Sequence, residues 1–177
     1  MSPRAAAEPA PAGMVPDDMV PGDIVTGGAK ARLRLWLRLL TCSGLVERAV
    51  RRRLRDEFAV TLPRFDLMAA LERAPDGLTM GALSAHLKVS NGNVTGVVER
   101  LVQEGLVERA ALPTDRRTFQ VALTPAGRHA FAVMARRHAE WIDALLGDLG
   151  EAEIEQLMAL LGRLRQAVEH ELAEEEA

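Results

Sequence analysis

The chain has 177 residues, 48% apolar residues and a formal net charge of −3, which suits one compact domain with an apolar core rather than two full domains. No apolar run approaches the roughly 20 residues of a membrane span, and the single cysteine, Cys42, excludes an intramolecular disulfide. The sequence contains no phosphate-binding glycine loop, nucleophile elbow or zinc-protease motif, so we expect no enzyme, no metal site and no cofactor.

Residues 1–29 contain five prolines, four glycines and many alanines, a composition that breaks helices and buries little surface. We therefore expect a mobile tail over this segment. Because it lacks the basic start and apolar centre of a secretory signal, we also expect a cytoplasmic location.

Residues 30–58 predict a long helix. Nine basic and three acidic residues give residues 30–57 a net charge of +6. Three interpretations are open: a solvated face, phosphate contacts beside DNA, or docking against the acidic end of the chain. Cys42 lies among leucines, where we expect an ordinary buried cysteine rather than a redox sensor. The apolar residues at roughly helical spacing are Leu33, Trp36, Leu40, Val46, Val50 and Leu54.

A second helix is predicted from Leu62 onward, since Pro63 suits a first helical turn, where its missing N–H costs nothing. Asp66 interrupts the apolar run of this helix. It is interpreted either as a first-turn carboxylate that the helix dipole favours or as a pocket residue. The residues of the apolar face are Phe65, Leu67, Met68 and Leu71.

A short helix, a tight turn and a longer helix are predicted next. Their apolar residues recur at helical spacing, so the two apolar faces meet across the turn, as is typical of a helix-turn-helix. Ser90 suits the N-cap of the longer helix because its hydroxyl can accept from backbone N–H groups. The short polar residues that follow would let this end of the helix enter a DNA major groove. The apolar residues are Leu83 and Leu87, then Val94, Val98 and Leu101, and the polar ones are Asn91, Asn93 and Thr95.

A β-hairpin follows Gly105, a residue suited to end a helix. Residues 119–123 alternate apolar and polar side chains in the manner of a half-buried strand. Pro113, Thr114 and Asp115 provide turn chemistry, with Arg116 and Arg117 expected at or near the tip. This pattern predicts a wing that bears paired arginines.

Two further helices are predicted after Thr124 and Pro125, which form a cap with proline at the first helical position. Together with the helix at 30–58 they have more apolar surface than a small winged domain can cover, and a helix lying on a membrane surface is one interpretation of that surface. Residues 147–177 have a net charge of −7 and residues 62–128 a net charge of +1. An acidic tail opposes binding to anionic lipid, so we expect no membrane partner.

The helix-turn-helix and wing resemble the winged helix of the multiple-antibiotic-resistance regulator (MarR) family. The resemblance lies in VSNGNVTGVVERL (residues 89–101), the GLVER that follows, DRR (115–117) and LTPAG (123–127). It implies a mainly α fold with a small β-hairpin wing, and a homodimeric regulator, most often a repressor, that binds double-stranded operator DNA. The implied regions are the tail 1–29, dimerisation helix 30–61, winged helix-turn-helix 62–123 and dimerisation helices with an acidic tail 124–177.

The DNA contacts are assigned partly from chemistry and partly from this resemblance. An asparagine amide can pair bidentately with adenine, so Asn91 and Asn93 are the expected base contacts. Ser90 and Thr95 are expected at phosphates. Many relatives have a basic residue where this chain has Gly96; Arg100 is interpreted either as a substitute phosphate contact or as a solvated or ion-paired residue. The resemblance implies that one wing arginine, Arg116 or Arg117, enters the minor groove, and that Asp115 holds the loop through charge-assisted hydrogen bonds. We favour Arg117.

The resemblance also implies a small-molecule effector, an anionic aromatic acid or its coenzyme A thioester, bound between the dimer helices and the winged region. Guanidinium groups pair with both carboxylates and phosphates, so an arginine of the first helix would complete the site. Trp36 is also interpreted as an ordinary core residue of the dimer interface. The expected ligand residues are Arg32, Trp36, Arg38, Leu40, Phe65 and Asp66, with Arg34 as another possible arginine.

Two other functions remain open. The chain can be a helical dimer whose degenerate winged helix binds only protein, or a regulator that senses oxidants through Cys42. The absence of tyrosine counts against a resemblance to the family's peroxide sensors.

Overall fold

The computed structural model describes the backbone of residues 28–87, 91–112 and 115–175, and their side chains except those of residues 91–93, 111–112 and 115–118. Over this part of the chain the fold is mainly helical with one small antiparallel sheet, which confirms the expected class. The elements are α1 (Gly28–Phe58), α2 (Leu62–Glu72), β1 (Leu78–Thr79), α3 (Met80–Leu87), α4 (Asn91–Gln103), β2 (Val107–Leu112), β3 (Asp115–Leu123), α5 (Pro125–Leu146) and α6 (Glu151–Glu175).

Helix α1 begins two residues before the expected start and ends at Phe58, as predicted. Its leucines and arginines favour a helix because side chains that are not branched at Cβ lose little rotamer freedom there. Only the C-terminal part of the apolar stripe is buried, at Val50 (4% exposed) and Leu54 (0%), whereas Trp36 and Leu40 are 55% and 41% exposed. The core therefore covers only the C-terminal end of α1.

Helix α2 lies at the centre of the core. Pro63 is in its first turn, as predicted, and its apolar face is buried. The ring of Phe65 lies 5.5 Å, centroid to centroid, from the ring of Phe131. The first-turn interpretation of Asp66 is wrong: the first turn has no acidic residue, and Asp66 is the fifth residue of the helix, on an exposed position. The buried residues of α2 are Phe65, Leu67, Met68, Ala70 and Leu71.

The three strands form one sheet in the order β1-β3-β2, with both pairings antiparallel. The predicted alternation holds at the end of β3, where Val121 and Leu123 are 0% and 3% exposed. Phe119, on the same face by the period-2 rule, is 48% exposed, because at this point the hairpin extends beyond the core. Pairing runs from Val107 opposite Leu123 to Ala111 opposite Phe119, with Leu78 of β1 opposite Val121.

The described part of the chain divides into two compact units, one ending at Ala135 and the other beginning at Arg136, with the boundary inside α5. The first unit contains the helix-turn-helix and the sheet. In the second, Trp141 is 5% exposed and packs edge-on against His138, but α6 has no buried residue. Among the described residues, no helix combines the length and the apolar character needed to cross a membrane.

Candidate nucleic-acid interface

Helices α3 and α4 form the predicted helix-turn-helix. On the inner side of α4, Val94, Val98 and Leu101 are 1%, 0% and 0% exposed, and Leu83 of α3 is 0% exposed. Burial of these residues holds α4 against the core, since each buried aliphatic side chain contributes about 1.5–3 kcal/mol to the stability of the fold. The opposite side of α4, which includes Gly96, Glu99 and Arg100, is exposed.

The predicted DNA contacts on α4 begin at its first residue. Asn91 starts the helix, and Asn93 lies in its first turn, two turns before Arg100 on the same side of the helix. Thr95 is half-buried and Arg100 is exposed. Ser90 and the remainder of the turn lie outside the described residues, as do the side chains of Asn91 and Asn93, so their assigned contacts stay predictions.

The C-terminus of α4 ends as expected at Gly105, whose φ of +70° lies in the left-handed region that favours glycine. Leu106 N–H donates to Leu101 O at 2.9 Å and Gly105 N–H to Val102 O at 3.0 Å, the pattern of a Schellman cap. Glu104, inside this cap, pairs with Arg64 of α2: Arg64 Nη1 donates to Glu104 Oε1 at 2.8 Å, and Nη2 donates to Oε2. The cap therefore joins α4 to α2.

The wing is the β2–β3 hairpin. At its tip Leu112 lies opposite Asp115, and the next pair is Ala111 opposite Phe119. Between these two pairs β3 has three extra residues, 116–118, that have no counterpart in β2. Arg116 and Arg117 thus lie in an irregular part of the ladder, where bulges commonly redirect side chains. Asp115 is the first residue of β3 and closes the two-residue loop opposite Leu112, so it stands at the end of the turn. The side chains of all three residues lie outside the description.

The wing and α4 are attached to the start of α5. Thr124 caps α5 as predicted, with its Oγ1 accepting from Gly127 N–H at 3.0 Å. The same hydroxyl donates to Gly105 O at 2.7 Å, and Thr124 N–H donates to Leu106 O at 3.1 Å. A Cβ on Gly127 would lie 1.9 Å from Leu106 O, so only glycine allows the two segments to approach this closely. We call these contacts, formed by residues 104–106 and 124–127, the α4–α5 junction.

The expected ligand residues differ in burial. Phe65 is buried in the core, while Trp36 lies 18 residues before Leu54, about 27 Å along α1. The chain between Leu54 and Phe65 is held close by Val60 N–H donating to Leu54 O and Phe65 N–H to Thr61 O. The assignment of these residues to one ligand site stays a prediction. The expected ligand residues on α1 are all exposed, and so is Asp66 of α2. The α1 residues are Arg32, Trp36, Arg38 and Leu40.

Cys42 is exposed, so the expectation that it is buried is wrong. Its leucine neighbours belong to a part of α1 that extends beyond the core, where apolar sequence does not produce burial within one chain. Among the described residues, no cluster of three or more His, Cys, Asp or Glu side chains could hold a metal ion.

Two features of this region were missed by the sequence analysis: the Arg64–Glu104 ion pair and the contact of Gly127 with Leu106. Their partners are separated along the chain by 40 and 21 residues. No periodic pattern or cap rule links residues so far apart. The LTPAG motif located Gly127, but it contained no signal of what the glycine approaches.

Helix-turn-helix, hairpin and flanking helices together define a winged helix-turn-helix protein, a class that binds DNA. The model of the MarR family matches residues 60–118. By sequence, the chain is 30% identical over 118 residues to the transcriptional activatory protein BadR of Rhodopseudomonas palustris, covering 65% of this chain and 67% of that protein. The chain belongs to the MarR family of transcriptional regulators.

Other relatives agree with this assignment. The regulator PecS of Dickeya dadantii is 29% identical over 122 residues, covering 68% of this chain and 73% of PecS. The crystal structure of a MarR family regulator from Silicibacter pomeroyi is 35% identical, covers 81% of this chain and 99% of its own, and superposes with a TM-score of 0.70. Wild-type MarR of Escherichia coli, in its apo form, has a TM-score of 0.64 at 26% identity, over 72% of this chain and 94% of its own. The relatives are transcriptional regulators, and none of these comparisons favours a thiol-based redox function for Cys42.

Proposed function

We propose that this protein is a cytoplasmic homodimeric regulator that binds a pseudo-palindromic operator and represses transcription until a small anionic aromatic ligand releases it. The observation that carries the DNA-binding part is the assembled winged helix-turn-helix, in which one side of α4 is buried and the other is exposed. Repression is inferred from the resemblance alone. Because BadR is named an activatory protein, the sign of regulation needs a direct transcription measurement.

Dimerisation through residues 30–61 and 124–177 is supported by unpaired apolar surface. A soluble monomer rarely leaves long apolar stripes exposed on several helices. A second copy of the same chain would cover such stripes symmetrically, and would place two α4 helices at half-sites about 10 bp apart. The large apolar residues that are exposed on these helices include Leu35, Trp36, Leu40 and Leu45 of α1 and Leu157, Met158, Leu160, Leu161, Leu164, Val168 and Leu172 of α6.

In this proposal the two DNA-contacting parts have different tasks. Asn91 and Asn93 contact base edges from the start of α4, and Ser90, Thr95 and Arg100 contact phosphates. The wing adds a minor-groove contact through Arg117, with Arg116 beside it and Asp115 as its hydrogen-bonding partner. Base contacts determine sequence preference, whereas phosphate and wing contacts add affinity for any sequence.

Two variants should separate these tasks in gel-shift titrations with DNA from upstream of the protein's own gene and with random DNA. Asn93→Ala should relax the preference at one base position by roughly 1–3 kcal/mol and leave binding to random DNA unchanged. Arg117→Ala should weaken binding to both DNAs alike and reduce the salt dependence by about one phosphate contact per subunit.

Arg48→Ala is the matched control for Arg117→Ala, since it removes the same charge from an exposed position on α1, outside the winged region. If affinity and salt dependence both survive Arg117→Ala, the assignment of the wing is wrong. If wild-type protein shifts no candidate promoter even at low salt, the chain is better described as a helical dimer that binds protein only.

For the effector we propose a site that needs two chains. Arg32 or Arg38 and Trp36 of the exposed part of α1 would meet the Phe65 and Asp66 region in the cleft between the dimer helices and the winged region. The +6 charge of residues 30–57 suits a carboxylate or the phosphates of coenzyme A. Release requires that the ligand prefer a dimer whose α4 helices no longer match the half-sites.

A thermal-shift screen of aromatic acids and their coenzyme A thioesters tests this site. At 100 times its dissociation constant, a ligand of the folded dimer adds about 2.7 kcal/mol, or roughly 5–10 °C in Tm. The same ligand should lower operator affinity, and Arg38→Ala should reduce both effects while Arg48→Ala should not. A hit that raises Tm yet leaves operator affinity unchanged would refute the release mechanism.

A further inference from the structure

The Arg64–Glu104 ion pair is the connection from which this inference starts. It joins the first turn of α2 to the C-terminal cap of α4 through two hydrogen bonds, Nη1 to Oε1 at 2.8 Å and Nη2 to Oε2. The two side chains are 20% and 44% exposed. A bidentate pair constrains direction as well as distance, so it determines how the end of α4 is oriented on α2.

Both charges lie at the unfavourable end of their own helix. Arg64 is the third residue of α2, near the positive end of the helix dipole, and Glu104 follows the last residue of α4, near the negative end. Within the described residues, Arg64 Nε is buried and has no hydrogen-bond partner, so Glu104 alone fixes the orientation of the guanidinium. Local helix energetics disfavour both residues here, and the contact between the helices offsets that cost.

The same cap is held from a second side by the α4–α5 junction, where Thr124 Oγ1 donates to Gly105 O at 2.7 Å. The two attachments differ in kind. The junction consists of backbone and hydroxyl hydrogen bonds around a glycine that cannot be replaced without a clash, whereas the ion pair is formed by two side chains and is partly exposed. The orientation of α4 relative to α2 therefore depends on the ion pair.

We propose that Arg64 and Glu104 are positioning residues that fix the orientation of α4 on α2, and so determine which half-site separation the dimer accepts. This inference rests on the proposed operator binding. Neither residue needs to touch DNA. Loss of the pair leaves α4 seated by its buried residues but lets its end rotate, so the dimer tolerates more separations and binds the best one less tightly.

The experiment measures the affinity of the dimer for a series of operators whose half-sites are about 9, 10, 11 and 12 bp apart. Wild-type protein should show one sharp optimum. Glu104→Gln should lower the affinity at that optimum by up to about fivefold, the factor that corresponds to about 1 kcal/mol for an exposed ion pair. At the other separations the affinity should fall by a smaller factor. Arg64→Lys, which keeps the charge but not the bidentate geometry, should flatten the profile less than Arg64→Gln.

Glu47→Gln is the matched control, because Glu47 also pairs with an arginine, Arg51, but within α1. Loss of one negative charge should by itself raise the affinity for DNA equally at every half-site separation. Such a uniform change is distinct from the predicted flattening of the affinity profile. The double variant Arg64→Gln with Glu104→Gln should flatten the profile no more than either single change. Thermal melting of each variant establishes that it is folded at the temperature of the binding measurement.

A wild-type optimum that survives Glu104→Gln and Arg64→Gln unchanged in sharpness would overturn the positioning role while leaving operator binding intact. Equal loss at all separations would also overturn it, because it would indicate general destabilisation. Failure of wild-type protein to bind any operator would instead refute the proposed function on which the inference rests.

Discussion

Gly127→Ala is expected to destabilise the protein by about 3 kcal/mol or more, at the upper end of the range for overpacking. The new Cβ would lie 1.9 Å from Leu106 O, 2.9 Å from the Leu106 carbonyl carbon and 3.2 Å from Leu123 Cδ2. Two of these atoms belong to the backbone, and Leu106 O already accepts a hydrogen bond from Thr124 N–H. Relief would therefore require α5 to move away from the end of α4, which breaks the α4–α5 junction.

Equilibrium denaturation and operator binding measure this effect together. Gly81→Ala is the control, since a Cβ on Gly81, which is exposed in α3, meets nothing within 4 Å. That change should leave stability equal or raise it by up to about 1 kcal/mol, the usual gain of alanine over glycine in a helix. A Gly127→Ala protein with wild-type stability would show that α5 can shift without cost, which would contradict the close approach.

Leu101→Ala is the second change with a large expected effect. Leu101 is 0% exposed on the inner side of α4 and its carbonyl accepts from Leu106 N–H in the helix cap. Truncation of a buried leucine costs about 2–5 kcal/mol, because the lost apolar contacts leave a cavity that closes only in part. Since marginal proteins have about 5–15 kcal/mol of stability, a large part of the population should unfold at elevated temperature.

The neighbouring Val102 provides the control, because it is on the same helix but 37% exposed. Val102→Ala should lower the free energy of unfolding by at most about 1 kcal/mol. Urea denaturation compares the two variants, with the slope of the transition used to check that the unfolded state is unchanged. Equal effects of the two substitutions would mean that Leu101 does not anchor α4 in the core.

Local patterns in the sequence were enough to locate the elements of the candidate site. The 3.6-residue period of Val94, Val98 and Leu101 predicted the buried side of α4, and the structure buries all three. Gly105 and Thr124 were placed at helix ends from their own conformational and hydrogen-bonding properties, and both cap a helix. These predictions succeeded because each depends on residues within one or two helical turns.

The burial of the flanking helices could not be predicted from local patterns. Trp36 and Leu40 belong to the predicted apolar stripe and Cys42 lies among leucines, yet all three are exposed because α1 extends beyond the core of its own unit. A period in the sequence identifies which side of a helix is apolar, but not how much of its length another element covers.

By itself, then, the sequence determined the helices and the hairpin and which side of each is apolar, since those properties arise from neighbouring residues, whereas the two-residue strand β1, which depends on pairing with β3, was not predicted. Only the tertiary structure decided that Arg64 meets Glu104 and that Gly127 lies against Leu106. The path of the chain brings these residues together over 40 and 21 positions, and no local rule contains that information. The orientation of α4 depends on these long-range contacts, because burial seats the helix and the contacts at its cap hold its end.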